Sequence, residues 1–63
     1  MDIRIKLVEL RKQRRIKQID VAGHIGITAT ALSRFEKGKS DLKFKHIEKY
    51  VEFLGLEIKF LLK

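Results

Sequence analysis

Apolar residues recur along most of the chain three and four positions apart, interrupted by glycines and by short runs of charge. That period belongs to helices with one buried face. Ile3, Leu7 and Leu10 mark the first helix, over about Ile3 to Arg14, and Ile5 and Val8 widen its stripe. Asp2 stands where an N-cap belongs. Arg11, Lys12, Arg14 and Arg15 load the last turn, where the helix dipole favours positive charge. Ile16 is apolar among polar neighbours and is expected to turn back into the core. The second helix, about Gln18 to Ile25, directs Val21, Ala22 and Ile25 inward and leaves Ile19 partly exposed. Gly26 follows it, suited to the left-handed backbone that often ends a helix, and Ile27 is expected to be buried at the corner. Thr28 is placed to cap a third helix, about Ala29 to Lys37, whose inward residues are Leu32 and Phe35 and which Gly38 closes. After a basic loop from Lys39 to Lys43, a fourth helix covers about Phe44 to Leu54. Its stripe is Phe44, Ile47, Tyr50, Val51 and Leu54, and Gly55 ends it.

From Leu56 the pattern changes. Leu56, Ile58, Phe60 and Leu62 alternate with charged residues, apart from Leu61. This is strand periodicity, favoured by Ile and Phe and by the preceding glycine. The same residues also permit a short helix with Ile58, Leu61 and Leu62 on one face. The expected fold is mainly all-α: four helices in residues 1–55, with a C-terminal β-strand or short fifth helix in residues 56–63 of the same domain.

A chain of 63 residues is one small domain, and such a domain buries only about 60% of its unfolded surface. Small folds rely on a staple: disulfides, a metal or a partner subunit. There is no cysteine, and the two histidines, His24 and His46, stand 22 positions apart, so neither a disulfide nor a metal site is expected. A second copy of the chain remains. If residues 56–62 form a strand, the other helical segments offer nothing to pair it, and an unpaired apolar strand invites aggregation. Pairing with the same segment of a second chain about a two-fold axis resolves this. A helical tail would instead pack against the fourth helix of the partner. Both readings give a homodimer, with different geometries; the strand reading joins the copies through Leu56, Ile58, Phe60 and Leu62.

The net charge of +7 is uneven: residues 1–45 hold 12 basic and 5 acidic side chains, whereas residues 46–63 hold 3 of each. The basic part is equipped to meet a polyanion and the neutral tail to meet protein, although a merely solvated basic face gives the same count. The longest continuous apolar run is three residues, far from the ~20 that span a bilayer. No apolar signal core follows the N-terminus, so a cytoplasmic location is expected.

Residues 18–38 combine two short helical patterns, a glycine turn and a threonine cap. This is the layout of a helix-turn-helix, whose second helix lies in the DNA major groove. Arg11, Gln18, Ala22, Gly26, Ile27, Thr28, Leu32, Ser33, Glu36 and Gly38 stand at the spacing of one family, and the chain resembles the lambda-repressor-like, Cro-type helix-turn-helix DNA-binding regulators over about Leu7 to Leu56. Two positions depart from that family's pattern. Lys17 replaces a frequent Ser or Thr cap, and Leu42 replaces a frequent Pro; neither lies on the DNA-reading face. The tail resembles that of HipB-type antitoxins, in which a C-terminal strand pairs with its copy in a second subunit.

Counted from Thr28, the outward positions of the third helix are Ala29, Thr30, Ser33 and Arg34, which face the groove in the resembled family. The planar fork of Arg34 can bond guanine O6 and N7 together, or it can hold a phosphate. Ala29 and Thr30 offer methyl contacts to thymine, and Ser33 either contacts a base or lets the helix sink in. Gln18, at the start of the helix that crosses the backbone, is expected to hold a phosphate, as is Thr28. Lys37, Lys39, Ser40 and Lys43 are expected to grip the flanking backbone, the alternative for each lysine being plain solvation. The resemblance implies that Arg11 and Glu36 form an internal ion pair fixing the recognition helix; the other reading puts Arg11 on phosphate. Arg14, Arg15 and Lys17 are less determined.

Gly38-Lys39-Ser40 is not a phosphate-binding loop, because position 33 is Ser and the segment ends a helix rather than opening one. The histidines lack a catalytic constellation, so no enzymatic activity and no cofactor are expected. Tyr50, Phe44 and Phe53 are spaced for a core or a subunit contact. The expected partner is double-stranded DNA, read by a homodimeric repressor at a palindromic operator. The alternative is an antitoxin or adaptor that binds a partner protein, such as a toxin, and uses DNA binding for autoregulation. A nonspecific nucleic-acid binder is a weaker third reading.

Overall fold

The computed structural model describes residues 3–55, and these form four helices: α1 (Ile3–Gln13), α2 (Gln18–Ile25), α3 (Ala29–Glu36) and α4 (Phe44–Phe53). Every expected helix is present, and the described residues are all-α. The proposed tail strand or fifth helix, with Leu56, Ile58, Phe60 and Leu62, lies outside the described residues, as does the Asp2 cap.

Three helices end in the same way, and this shapes the fold. After α1 the amide of Arg15 donates to the carbonyl of Lys12 and that of Ile16 to Arg11 (both 3.1 Å); after α3, Gly38 donates to Phe35 and Lys39 to Arg34 (3.0 and 2.9 Å). After α2, Gly26 and Ile27 both donate to Ala22, at 2.8 and 3.0 Å. Each turn passes through a left-handed residue, with φ of 56° at Arg15, 91° at Gly26 and 77° at Gly38. Such turns satisfy the carbonyls that a helix end leaves open, and the next residue packs back when apolar. Ile16 and Ile27 do so, partly buried against the core as expected. Arg15 is the one non-glycine among them, which is why its turn is not apparent from composition.

The core consists of Leu7, Val21, Ala22, Ile25, Leu32, Phe35, Tyr50, Val51 and Leu54. α2 packs against both α3 and α4, and α1 against α3. Ala22, only 2% exposed, presents no bulk to the helices around it. Two expectations are corrected. Ile5 is 56% exposed: it lies two positions from buried Leu7, on another side of α1, and does not widen the stripe. Phe44 is 58% exposed, because it opens α4 and only the later turns, from Ile47 to Leu54, reach the core. Ile19 is exposed, as its position implied.

Candidate nucleic-acid interface

α3 divides into two faces. Leu32, Phe35 and Glu36 are buried, while Ala29, Thr30 and Arg34 are exposed and Ser33 is half-exposed. The helix starts where Thr28 adopts extended backbone and its Oγ1 accepts the amide of Ala31 at 3.0 Å. That cap satisfies one of the donors a helix start leaves open. α2 starts differently: Lys17 is extended but gives no side-chain cap.

Ala29, Thr30, Ser33 and Arg34 line one shallow concavity together with Lys37 and Lys39. The sequence-expected reading positions thus share a surface with two of the expected phosphate-binding lysines. Ser40 does not belong to it; it lines a separate hollow with Ile3, Arg4, Asp41 and Leu42. Lys43 is exposed at the N-cap of α4.

The buried side of α3 is anchored by charge. Arg11 donates from Nε to Oε2 of Glu36 at 2.9 Å and from Nη2 to Oε1 at 2.7 Å, and its Nη1 donates to the carbonyl of Ile16 at 2.7 Å. With its side chain only 9% exposed, Arg11 is engaged inside the fold. Gln18 donates from Nε2 to Glu36 Oε1 at 2.8 Å, and the Tyr50 hydroxyl donates to Oε2 at 2.6 Å. Among the described residues no buried side-chain polar atom lacks a partner.

These contacts set the ionisation. Burial pushes the Glu36 carboxyl up, but hydrogen bonds from Arg11, Gln18 and Tyr50 together with the Arg11 charge outweigh it, so the group lies below its ordinary value. Burial likewise lowers Arg11, and Glu36 more than compensates, holding it above its ordinary value. Tyr50 is pushed strongly up, first by burial and then by its bond to the carboxylate. The cluster is therefore an ionised pair with a protonated phenol.

Besides the bond from Gln18, three contacts were not legible from the sequence. One is the Tyr50 hydroxyl, since position 50 fits an apolar stripe. Another is Arg4, whose Nη1 donates to the Glu36 carbonyl at 3.2 Å and so ties α1 to the end of α3. The third is Arg14, whose Nη1 donates to the carbonyl of Leu54 at the end of α4. Gln18 was expected on phosphate, and the structure commits one of its amide donors to Glu36. His24 and His46 stay near the surface, His24 tilted against Phe53 with ring centroids 5.1 Å apart. Among the described residues no cluster of three His, Cys, Asp or Glu forms, and no helix is long and apolar enough to cross a membrane.

The profile of the Helix-turn-helix family matches residues 7–61. The chain belongs to this family, the lambda-repressor-like helix-turn-helix DNA-binding regulators. It is also similar to Antitoxin HigA1 of Mycobacterium tuberculosis, from strains CDC 1551 / Oshkosh and ATCC 25618 / H37Rv, at 32% identity over 57 residues. That alignment covers 90% of this chain but only 38% of either relative. No solved structure matches the chain significantly.

Proposed function

We propose that the protein is a dimeric transcriptional repressor that reads a palindromic operator through α3. The observation that carries this is the concavity in which Ala29, Thr30, Ser33 and Arg34 stand beside Lys37 and Lys39, on the face of α3 opposite its buried anchor. Arg34 is long enough to reach a guanine edge, Ala29 and Thr30 offer methyl groups to thymine, and Ser33 keeps the centre of the face low. Lys37 and Lys39 in that concavity, and Thr28, Gln18, Ser40 and Lys43 outside it, are assigned phosphate contacts that fix register without reading sequence. One helix contacts few base pairs; two, related by a two-fold axis, read half-sites about 34 Å apart. Leu56, Ile58, Phe60 and Leu62 are the residues proposed to join the two copies.

Selection of bound sites from a random duplex pool tests this reading. A palindromic consensus supports it. Recovery of no consensus, with affinity set by salt alone, contradicts it.

The similarity to an antitoxin across most of this chain supports a second reading. In it, the chain binds a partner protein, a toxin, and its DNA binding is autoregulatory. Co-purification with the product of an adjacent gene, and relief of that product's toxicity, supports it. Self-association alone, with no such gene, contradicts it.

A further inference from the structure

We propose that Tyr50 is a positioning residue for DNA reading: its hydroxyl, held on the Glu36 carboxylate, sets the seat of α3. The inference rests on the reading function proposed above. Tyr50 belongs to α4 and is fully buried, at 0% exposure. Its hydroxyl meets Glu36 Oε2 at 2.6 Å, the oxygen that also accepts from Arg11 Nε, while Oε1 accepts from Arg11 Nη2 and Gln18 Nε2.

One carboxylate thus collects donors from α1, α2 and α4, and it sits on the last residue of an eight-residue helix. The two bonds from Arg11 define the plane of the carboxylate, a geometry suited to the guanidinium fork. They leave a pivot about the pair. Gln18 blocks that pivot at one oxygen and Tyr50 at the other. Among the described residues, Tyr50 is the member that brings α4 into the cluster. Buried as it is, the hydroxyl has no water to turn to, so its bond to Glu36 is kept or left unmade at a cost. The residues that face DNA in the proposed reading lie elsewhere on α3, so Tyr50 acts on bases through the orientation of that helix.

Tyr50→Phe keeps the ring and removes the hydroxyl. The test compares binding of the whole chain to a duplex that the wild type selects from a random pool and to a scrambled duplex of equal length, at one salt concentration. Tyr50→Phe is expected to weaken binding to the selected duplex about tenfold, and to the scrambled one by less than about twofold. In an Arg34→Ala background the same change is expected to cost far less, since both act on one reading event. Equal losses on both duplexes, additive with Arg34→Ala, show a purely structural tyrosine and overturn the inference while the reading function stands. If the wild type selects no sequence, the reading function falls and the inference with it.

A second measurement covers a Tyr50→Phe variant that does not fold. Tyr50 is the sole tyrosine of the sequence, so 3-fluorotyrosine incorporation places one fluorine beside the hydroxyl in question. Its 19F resonance is expected to move on binding the selected duplex and to stay put with the scrambled one. An identical response to both duplexes, or none to either, overturns the inference.

Discussion

Arg11 and Glu36 lie 25 residues apart in sequence and meet through two parallel hydrogen bonds of 2.9 and 2.7 Å, joining α1 to the last residue of α3. Both side chains are nearly inaccessible, at 9% and 4% exposure. A buried pair of this kind adds little net stability over an apolar replacement, because desolvation offsets the attraction. Losing one partner is different. Arg11→Ala strands a carboxylate in the core, and the expected loss is about 3–5 kcal/mol. A core of this size supplies only about that much in total. Arg11→Ala is therefore expected to be largely unfolded in a urea titration. Arg11→Met with Glu36→Leu should recover part of the loss but not all of it, since Gln18 and Tyr50 then lack their acceptor.

The same cluster makes stability depend on pH in two opposite senses. The Glu36 carboxyl is more acidic in the fold than its ordinary value of 4.5, burial being outweighed by its hydrogen bonds. The unfolded chain then takes up the proton more readily. The stabilisation is complete above 4.5 and drains away as pH falls from there through the folded value. The Tyr50 hydroxyl is pushed up from 10.0 by burial and by the carboxylate, so its contribution is intact below that pH and is lost as pH rises beyond it. Thermal melts across pH check both limbs. Glu36→Gln is expected to flatten the acid limb and Tyr50→Phe the alkaline one; unchanged limbs would refute the assignment.

Substitution separates the observed cap that Thr28 gives α3 from the phosphate contact proposed for it. Thr28→Ala removes the cap on α3 and should cost about 1 kcal/mol in chemical unfolding. Thr28→Asp keeps a capping oxygen and adds a charge that the helix dipole favours, so stability should hold. Its DNA affinity should nevertheless fall, because the new charge faces phosphate. A Thr28→Asp variant with wild-type affinity would remove Thr28 from the DNA contacts.

Two glycines are expected to respond in opposite directions. Gly23 lies inside α2, exposed, with nothing within 4 Å of an added Cβ. Gly23→Ala should raise stability by about 0.5–1 kcal/mol by restricting the unfolded chain. Gly38 has φ of 77°, and an added Cβ meets the Arg4 guanidinium at 3.4 Å. Gly38→Ala should lower stability by about 1–2 kcal/mol from the backbone alone. The new methyl itself makes only ordinary van der Waals contact with that arginine. Melting temperatures of the two variants against wild type check both signs.

The helices were readable because each carries a local signature. Within their own helices Ile3, Leu7 and Leu10, then Leu32 and Phe35, then Ile47, Tyr50, Val51 and Leu54 repeat at helical spacing, and Gly26 and Thr28 mark an end and a start by their own backbone and side-chain chemistry. α2 falls on its expected limits, Gln18–Ile25, and the others differ by a residue at one end. The outer face of α3 was readable for the same reason: once Thr28 fixes the start of α3, geometry assigns Ala29, Thr30, Ser33 and Arg34 to one side. The cluster around Glu36 was legible only where the family resemblance supplied it, at Arg11. Gln18 and Tyr50 converge on Glu36 across 18 and 14 residues of sequence, and no periodicity encodes that meeting. Tyr50 fits an apolar stripe as well as any leucine would, so its hydroxyl adds no signal. Arg4 belongs to no motif and Arg14 is left undetermined by the sequence, yet each ends on a backbone carbonyl, Glu36 and Leu54.

The proposed function requires that the outer face of α3 distinguish bases. The direct measurement is equilibrium binding of wild type, Arg34→Ala and Lys39→Ala to the selected duplex and to a panel carrying single base-pair changes. For the wild type, changing the guanine met by Arg34 should cost about 1–3 kcal/mol. Arg34→Ala should become indifferent at that position while still discriminating at the others. Lys39→Ala should weaken every duplex alike and reduce the salt dependence. If Arg34→Ala instead weakens all duplexes equally and keeps the wild-type preference at every position, α3 does not read sequence through Arg34 and the central claim is wrong.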